Sequence, residues 1–191
     1  ETAIRGEGKG SFNGIHMNSI KDSIGGKTTK ASINLMANTI ALAGKIQSKG
    51  VLSLQPIEDD STIGIGDFSM GLFNLTSAEL HTLQEGFSEI LIGRDESIDI
   101  RAYQFKDKVT FLADSISFNG EFFVHDMVVK SHKINIGEFG AIRGTGNLLL
   151  EPKDVTVDIG LGDGASGEFS LTTDAIFKIT GFSDVIVGNL L

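Results

Sequence analysis

The chain has 191 residues, 40% hydrophobic and 21% charged, with 24 Gly, 13 Phe, two Pro and neither Cys nor Trp. That length can build a core without disulfides, and the composition is that of an ordered chain with many tight turns. A net charge of −9 excludes nucleic acid and anionic lipid surfaces as partners, and zero cysteines excludes disulfides, thiolate metal sites and Cys nucleophiles.

No apolar run approaches the ~20 residues needed to cross a bilayer, so no transmembrane segment is expected. Nor is there a basic-then-apolar leader. The chain opens at Glu1 rather than Met, which reads as a processed product or a piece of something larger.

In chain order, the first half carries short alternating apolar runs at 31–37 (ASINLMA), 39–46 (TIALAGKI) and 51–56 (VLSLQP). Their period of two and their β-branched residues predict strands. A glycine turn, IGIGDF at 63–68, follows. Next comes LTSAELHTLQEGF, with Thr76 and Glu79 in capping-box spacing, Leu80 and Leu83 on one face, and Gly86 as a C-terminal stop. This predicts a short helical turn. The second half presents VTFLADSISFNG at 109–120, KINIGEF at 133–139 and NLLLEP at 147–152 as strands. It then repeats the glycine turn as IGLGDGASG and the helical turn as LTTDAIFKITGF, with Ile176 and Ile179 as the apolar pair and Gly181 as the stop.

These halves are copies. At a fixed offset of 96 residues, the stretch from Gly50 falls on that from Gly146 with 12 identities in 27 positions, where average composition gives about two. Among them are Pro56/Pro152, Gly66/Gly162, Asp67/Asp163, Gly71/Gly167 and Phe73/Phe169. After one deletion, GFSEILIG from Gly86 matches GFSDVIVG from Gly181. Residues 1–191 are therefore read as one unit, with copy one at about 13–108 and copy two at about 109–191.

The expected fold is all-β, a right-handed parallel β-helix (β-solenoid) with a short helical turn in each repeat of ~96 residues. Breaks every 8 to 12 residues or so give coils of about 20 to 24 residues. An antiparallel sandwich has the same strand spacing. It would favour Asn-Gly or Asp-Gly hairpins, and only Asn13-Gly14, Asn119-Gly120 and Asp163-Gly164 have that form.

VTFLADSISFNGEF, VVKSHKINIGEFGAIRGTGNLLLEP and IGLGDGASGEFSLTTDAIFKITGFSDVIVG together resemble the repeats of large bacterial filamentous-haemagglutinin-like proteins. The resemblance covers most of both copies. It implies a secreted or cell-surface, extracellular protein serving adhesion, biofilm or surface structure. The secretion domain that such proteins carry has no counterpart here.

Several constellations bear on chemistry. Asp67 and Asp163 sit in the Gly-x-Gly-Asp core of calcium-binding nonapeptide rolls, and are the candidate calcium ligands. The motif occurs once per copy, with no neighbour to complete a site, and Phe68 replaces the following glycine in copy one; a turn in which each Asp bonds local backbone is the favoured reading. Carboxylates for glycan chemistry are Glu58, Asp59, Asp60, Asp95, Glu96, Asp99, Asp154, Asp158 and Asp163, read as a solvated acidic surface. His16, His81, His125 and His132 lack metal-ligand spacing, and Asn74–Thr76 is a formal glycosylation acceptor.

The sequence thus predicts no enzyme, no catalytic residue and no cofactor beyond the calcium candidates. It predicts a structural or adhesive shaft segment or fibre-forming subunit, partnered with itself by end-to-end stacking and with host or matrix glycans. The alternative is a glycan-binding or polysaccharide-cleaving β-helix.

Overall fold

The computed structural model describes residues 14–58 and 61–189. Copy one contributes β1 (Gly14–Met17), β2 (Ser23–Gly25), β3 (Ile33–Met36), β4 (Thr39–Leu42), β5 (Lys45–Gln47), β6 (Val51–Gln55), β7 (Ile63–Ile65) and β8 (Phe73–Leu75). After the helical turn α1 (Ser77–Leu80) come β9 (Glu89–Ile92), β10 (Ser97–Ile100) and β11 (Tyr103–Gln104). Copy two contributes β12 (Val109–Phe118), β13 (Glu121–Val124), β14 (Met127–Ile136), β15 (Ala141–Gly144), β16 (Asn147–Pro152), β17 (Ile159–Leu161) and β18 (Phe169–Leu171). The helical turn α2 (Thr173–Phe177), β19 (Ile179–Thr180) and β20 (Asp184–Val187) complete it.

Among the described residues 49% are strand and 5% helix, so the protein is mostly β. All fifteen strand pairings among the described residues are parallel, which removes the antiparallel sandwich. One ladder runs β3–β6–β9–β12–β14–β16–β20. A second runs β8–β7–β10 and rejoins β12 and β14, and a third runs β11–β13–β15–β19.

Many neighbouring strands are about twenty residues apart in the chain. Ser97 and Ser115, Asp99 and Asn119, and Asp126 and Asn147 meet across separations of 18, 20 and 21 residues. Each position then stacks on its own kind. Leu35, Leu54, Ile92, Phe111, Val129, Leu150 and Val187 form one column, and Ile63, Ile98, Ile116 and Ile134 another. A buried Leu, Ile or Val contributes about 1.5–3 kcal/mol, so such columns hold the ladders together. Tyr103, Phe105, Phe111, Phe118 and Phe122 add an aromatic cluster with ring centroids 4.9–6.4 Å apart.

Two ten-residue strands turn a corner. In β12 the inward residues are Val109, Phe111 and Ala113, then Ile116 and Phe118; in β14 they are Met127, Val129 and Ser131, then Ile134 and Ile136. A straight strand keeps one parity, so the switch places a bend at Asp114 and His132. The buried Ser131 hydroxyl lies 3.1 and 2.8 Å from the Asp114 and Lys133 carbonyls and accepts from the Lys133 amide at 3.2 Å, tying the two strands together at the bend.

The helical turns are shorter than expected, and neither glycine stops them. α1 ends at His81 and α2 at Lys178, well before Gly86 and Gly181. The reason lies across the fold. Leu83 leaves the helix to bridge Ile46, and Ile179 does so to pair with Ile142, so strand pairing outcompetes another helical turn. Ile176 is consequently 38% exposed, while Ala175 takes the buried position of α2.

Candidate functional site

The Gly-x-Gly-Asp turns have nearly the same geometry. Gly66 and Gly162 have φ of 88° and 93°, and their amides donate to the carbonyls of Leu75 and Leu171, both at 2.9 Å. Gly71 and Gly167 pack so closely that a Cβ would lie 2.3 Å from the Gly64 nitrogen or 2.4 Å from that of Gly160, leaving room for glycine alone. Asp67 Oδ1 accepts from the Ser77 amide at 2.9 Å, and Asp163 Oδ1 from the Thr173 amide at 3.1 Å. Each carboxylate thus serves the first amide of a helical turn ten residues further along the chain, rather than the backbone of its own turn.

Capping completes each turn. Thr76 and Glu79 form the reciprocal box, and Glu79 Oε1 also accepts from the Leu42 amide at 3.2 Å, tying α1 to β4. In copy two Thr172 caps Ala175, where no carboxylate can answer. Calcium requires six to eight oxygens. Among the described residues no three His, Cys, Asp or Glu are grouped to hold a metal ion.

Of the positions at which the two turns differ, one carries backbone strain. Phe68 occupies φ 62°, a left-handed conformation that costs a non-glycine residue about 1–3 kcal/mol, where copy two has Gly164 at φ 77°.

The remaining acids do not converge. Glu58 accepts from Asn38 Nδ2 at 2.8 Å; Asp59 and Asp60 lie outside the described residues. Glu96 is buried, with Oε2 accepting the Arg94 and Asp95 amides at 2.7 and 3.0 Å. Asp99 accepts from the Met70 amide, Arg101 and Asn119. Asp154 is held below the usual carboxylate range by hydrogen bonds from the Thr156 backbone and hydroxyl, and Asp158 is exposed.

A charged cluster lies at the corner. Lys153 Nζ pairs with Asp95 and, at 2.7 Å, with Asp114, and His132 Nδ1 lies 3.3 Å from Asp114 Oδ1. Asp114 is held low, first by the Lys153 hydrogen bond. Burial alone would depress Lys153, but the two carboxylates outweigh it and raise its pKa. Every formal charge here has a partner.

Sequence reasoning missed a crevice. It occupies about 430 Å³ between α1 and β11, lined by Leu80, His81, Gln84, Tyr103, Gln104 and Lys106 among others. A recess of about 610 Å³ shares Gln104 and Lys106 and extends along Phe123, His125 and Arg143. The outward residues Gln104, Phe123 and Arg143, in register on β11, β13 and β15, form part of its lining. His81 meets Tyr103 edge-on at 5.7 Å, and burial pushes the Tyr103 hydroxyl up to about 12. Asp107 fixes one wall by accepting from the Gly86 and Phe87 amides. Of the other histidines, His125 Nδ1 lies 2.8 Å from Thr145 Oγ1, while His16 lies in β1, far along the chain from all of these. Asn74, the formal glycosylation acceptor, accepts from Ser69 Oγ at 2.6 Å.

No protein-family model matches this chain, and neither a curated protein nor a solved structure matches it. No helix among the described residues is long and apolar enough to cross a membrane. The class defined here is a mostly-β protein of parallel sheets.

Proposed function

We propose that the chain is a length of right-handed parallel β-helix serving as an extracellular, structural or adhesive shaft segment or fibre subunit, as the resemblance to filamentous-haemagglutinin-like repeats implies. The observation that carries this reading is the seven-residue column from Leu35 to Val187, in which each strand adds one parallel rung. Parallel crossovers within one sheet are right-handed in ~98% of cases, which sets the expected hand. Stability that accumulates rung by rung suits a stiff, protease-resistant spacer more than a mobile catalyst.

The upper edge of copy two favours self-association. Among the described residues β7 and β9 are paired on both sides, whereas β17 pairs with β18 alone and β20 with β16 alone. Another coil of the same kind fits that edge, and end-to-end stacking of copies supplies one. Negative-stain microscopy over a concentration series tests this: rods that lengthen with concentration are expected, and isolated short rods at every concentration would count against it.

The crevice beside α1 favours the second reading, glycan binding. Gln104, Phe123 and Arg143 stand on one outward column and offer a ring face and planar hydrogen-bonding groups, and Tyr103 lines the adjoining crevice. Incubation with acidic polysaccharides separates binding from cleavage: retention without new reducing or unsaturated ends is the outcome this reading predicts, and no retention would remove it.

A further inference from the structure

The two Gly-x-Gly-Asp turns form an internal control. They share their glycine angles, their Asp-to-amide bonds and their blocked Gly71 and Gly167 positions. What they present outward differs. Copy one projects Phe68, Met70 and Leu72, which are 95%, 74% and 68% exposed. Copy two has Gly164, Ser166 and Glu168 at the same offset. The turn itself does not require this apolar tip, since copy two builds the same backbone without it. Phe68 even holds a left-handed φ that glycine adopts freely. A strained aromatic fully in water, beside two more exposed apolar side chains, marks a contact surface.

The same molecule offers a recess for it. On the outer face of β14, β16 and β20, Val128, Leu149 and Ile186 stand in register. With Met127 and Leu148 they line a groove of about 420 Å³, rimmed by Lys108, Asp126, Asn147 and Asp184. That is larger than the cavity of about 150 Å³ known to hold a benzene ring.

We propose that the Phe68 tip of one copy seats in the Val128–Leu149–Ile186 groove of a second copy. The contact is heterologous, because tip and groove are different surfaces, so each copy can give one and receive one, and copies either close into a ring or extend as a filament. Three side chains in one groove fall far below a standard interface of about 1,600 Å², so pairing is weak and concentration-dependent. With −9 on each copy, it should strengthen as salt screens the repulsion.

Sedimentation velocity on the full chain, across concentration and salt, tests this with Phe68→Gly and Leu149→Ser. Wild type should self-associate more at higher salt. Phe68→Gly should weaken association at least tenfold while its thermal midpoint stays at or above wild type, because the left-handed strain is relieved. Leu149→Ser should also weaken it. Mixing the two variants should restore association, but only as far as dimers, since one supplies an intact tip and the other an intact groove. Overturning results are a wild type that stays monomeric at every concentration, a Phe68→Gly variant that associates as wild type does, or a mixture that fails to complement. The second of these would leave end-to-end stacking standing. Co-sedimentation of the wild type, but not Phe68→Gly, with phosphatidylcholine vesicles and without self-association would assign the tip to lipid instead.

Discussion

Copy one and copy two build nearly the same turn, helical turn and strand, yet the same positions have opposite surroundings. Ile63 and Ile65 in β7 are fully buried because β10 covers them; Ile159 and Leu161 in β17 are 38% and 51% exposed. Ile90 in β9 lies between β6 and β12, whereas among the described residues Val185 in β20 has β16 on one side only. Local sequence decides the shape of a rung, and the rung stacked on it decides what it contributes. That follows when each repeat touches only its neighbours.

The largest expected contrast tests this directly. Ile63→Ala should destabilise by about 2–5 kcal/mol, and Ile159→Ala, the same position in copy two, by less than about 1 kcal/mol. Urea unfolding followed by circular dichroism measures both, and equal losses would break the comparison.

The second contrast should be a near-equality. Asp67→Ala and Asp163→Ala each remove an acceptor from the first amide of a helical turn, so each should cost about 0.5–2 kcal/mol. Thermal unfolding reads this. Millimolar calcium should leave the wild-type midpoint unchanged; a rise that Asp163→Ala abolishes would mean the carboxylates serve a metal after all.

The smallest effect belongs to the corner cluster in copy two. A carboxylate whose folded pKa is depressed stabilises above its unfolded pKa, about 3.9, and loses that contribution as pH falls through the lower folded value. Asp114 is depressed chiefly by Lys153. Wild type should therefore lose stability below about pH 4 more steeply than Asp114→Asn, by no more than about 1 kcal/mol at such an exposed pair. Parallel acid limbs in the two proteins would show that the ion pairs are energetically silent.

What the sequence disclosed and what it hid follow the same division. The strands, the glycine turns and the Thr76 cap were legible because their signals are local: period-two patterning, tight glycines, a hydroxyl before an amide. The premature end of each helical turn was not, because Leu83 and Ile179 answer to partners 37 positions earlier in the chain, Ile46 and Ile142. The corner at Asp114 was written in the sequence as a slipped alternation between Ala113 and Ile116, but only its neighbour β14, with the same slip, makes it a bend rather than noise. The crevice was hidden entirely. His81 and Tyr103 lie 22 positions apart, and nothing local announces their meeting.

The central claim is the parallel register, and the absence of native cysteine makes it directly measurable. Ser97 and Ser115 are register partners with hydroxyls 3.0 Å apart. Adjacent strands about 4.8 Å apart suit a disulfide. Oxidised Ser97→Cys/Ser115→Cys should form an intramolecular crosslink with a shifted mobility on a non-reducing gel, while Ser97→Cys/Ser117→Cys, two residues out of register, should not. Crosslinking of the second pair, or of neither, would contradict the stacking described here.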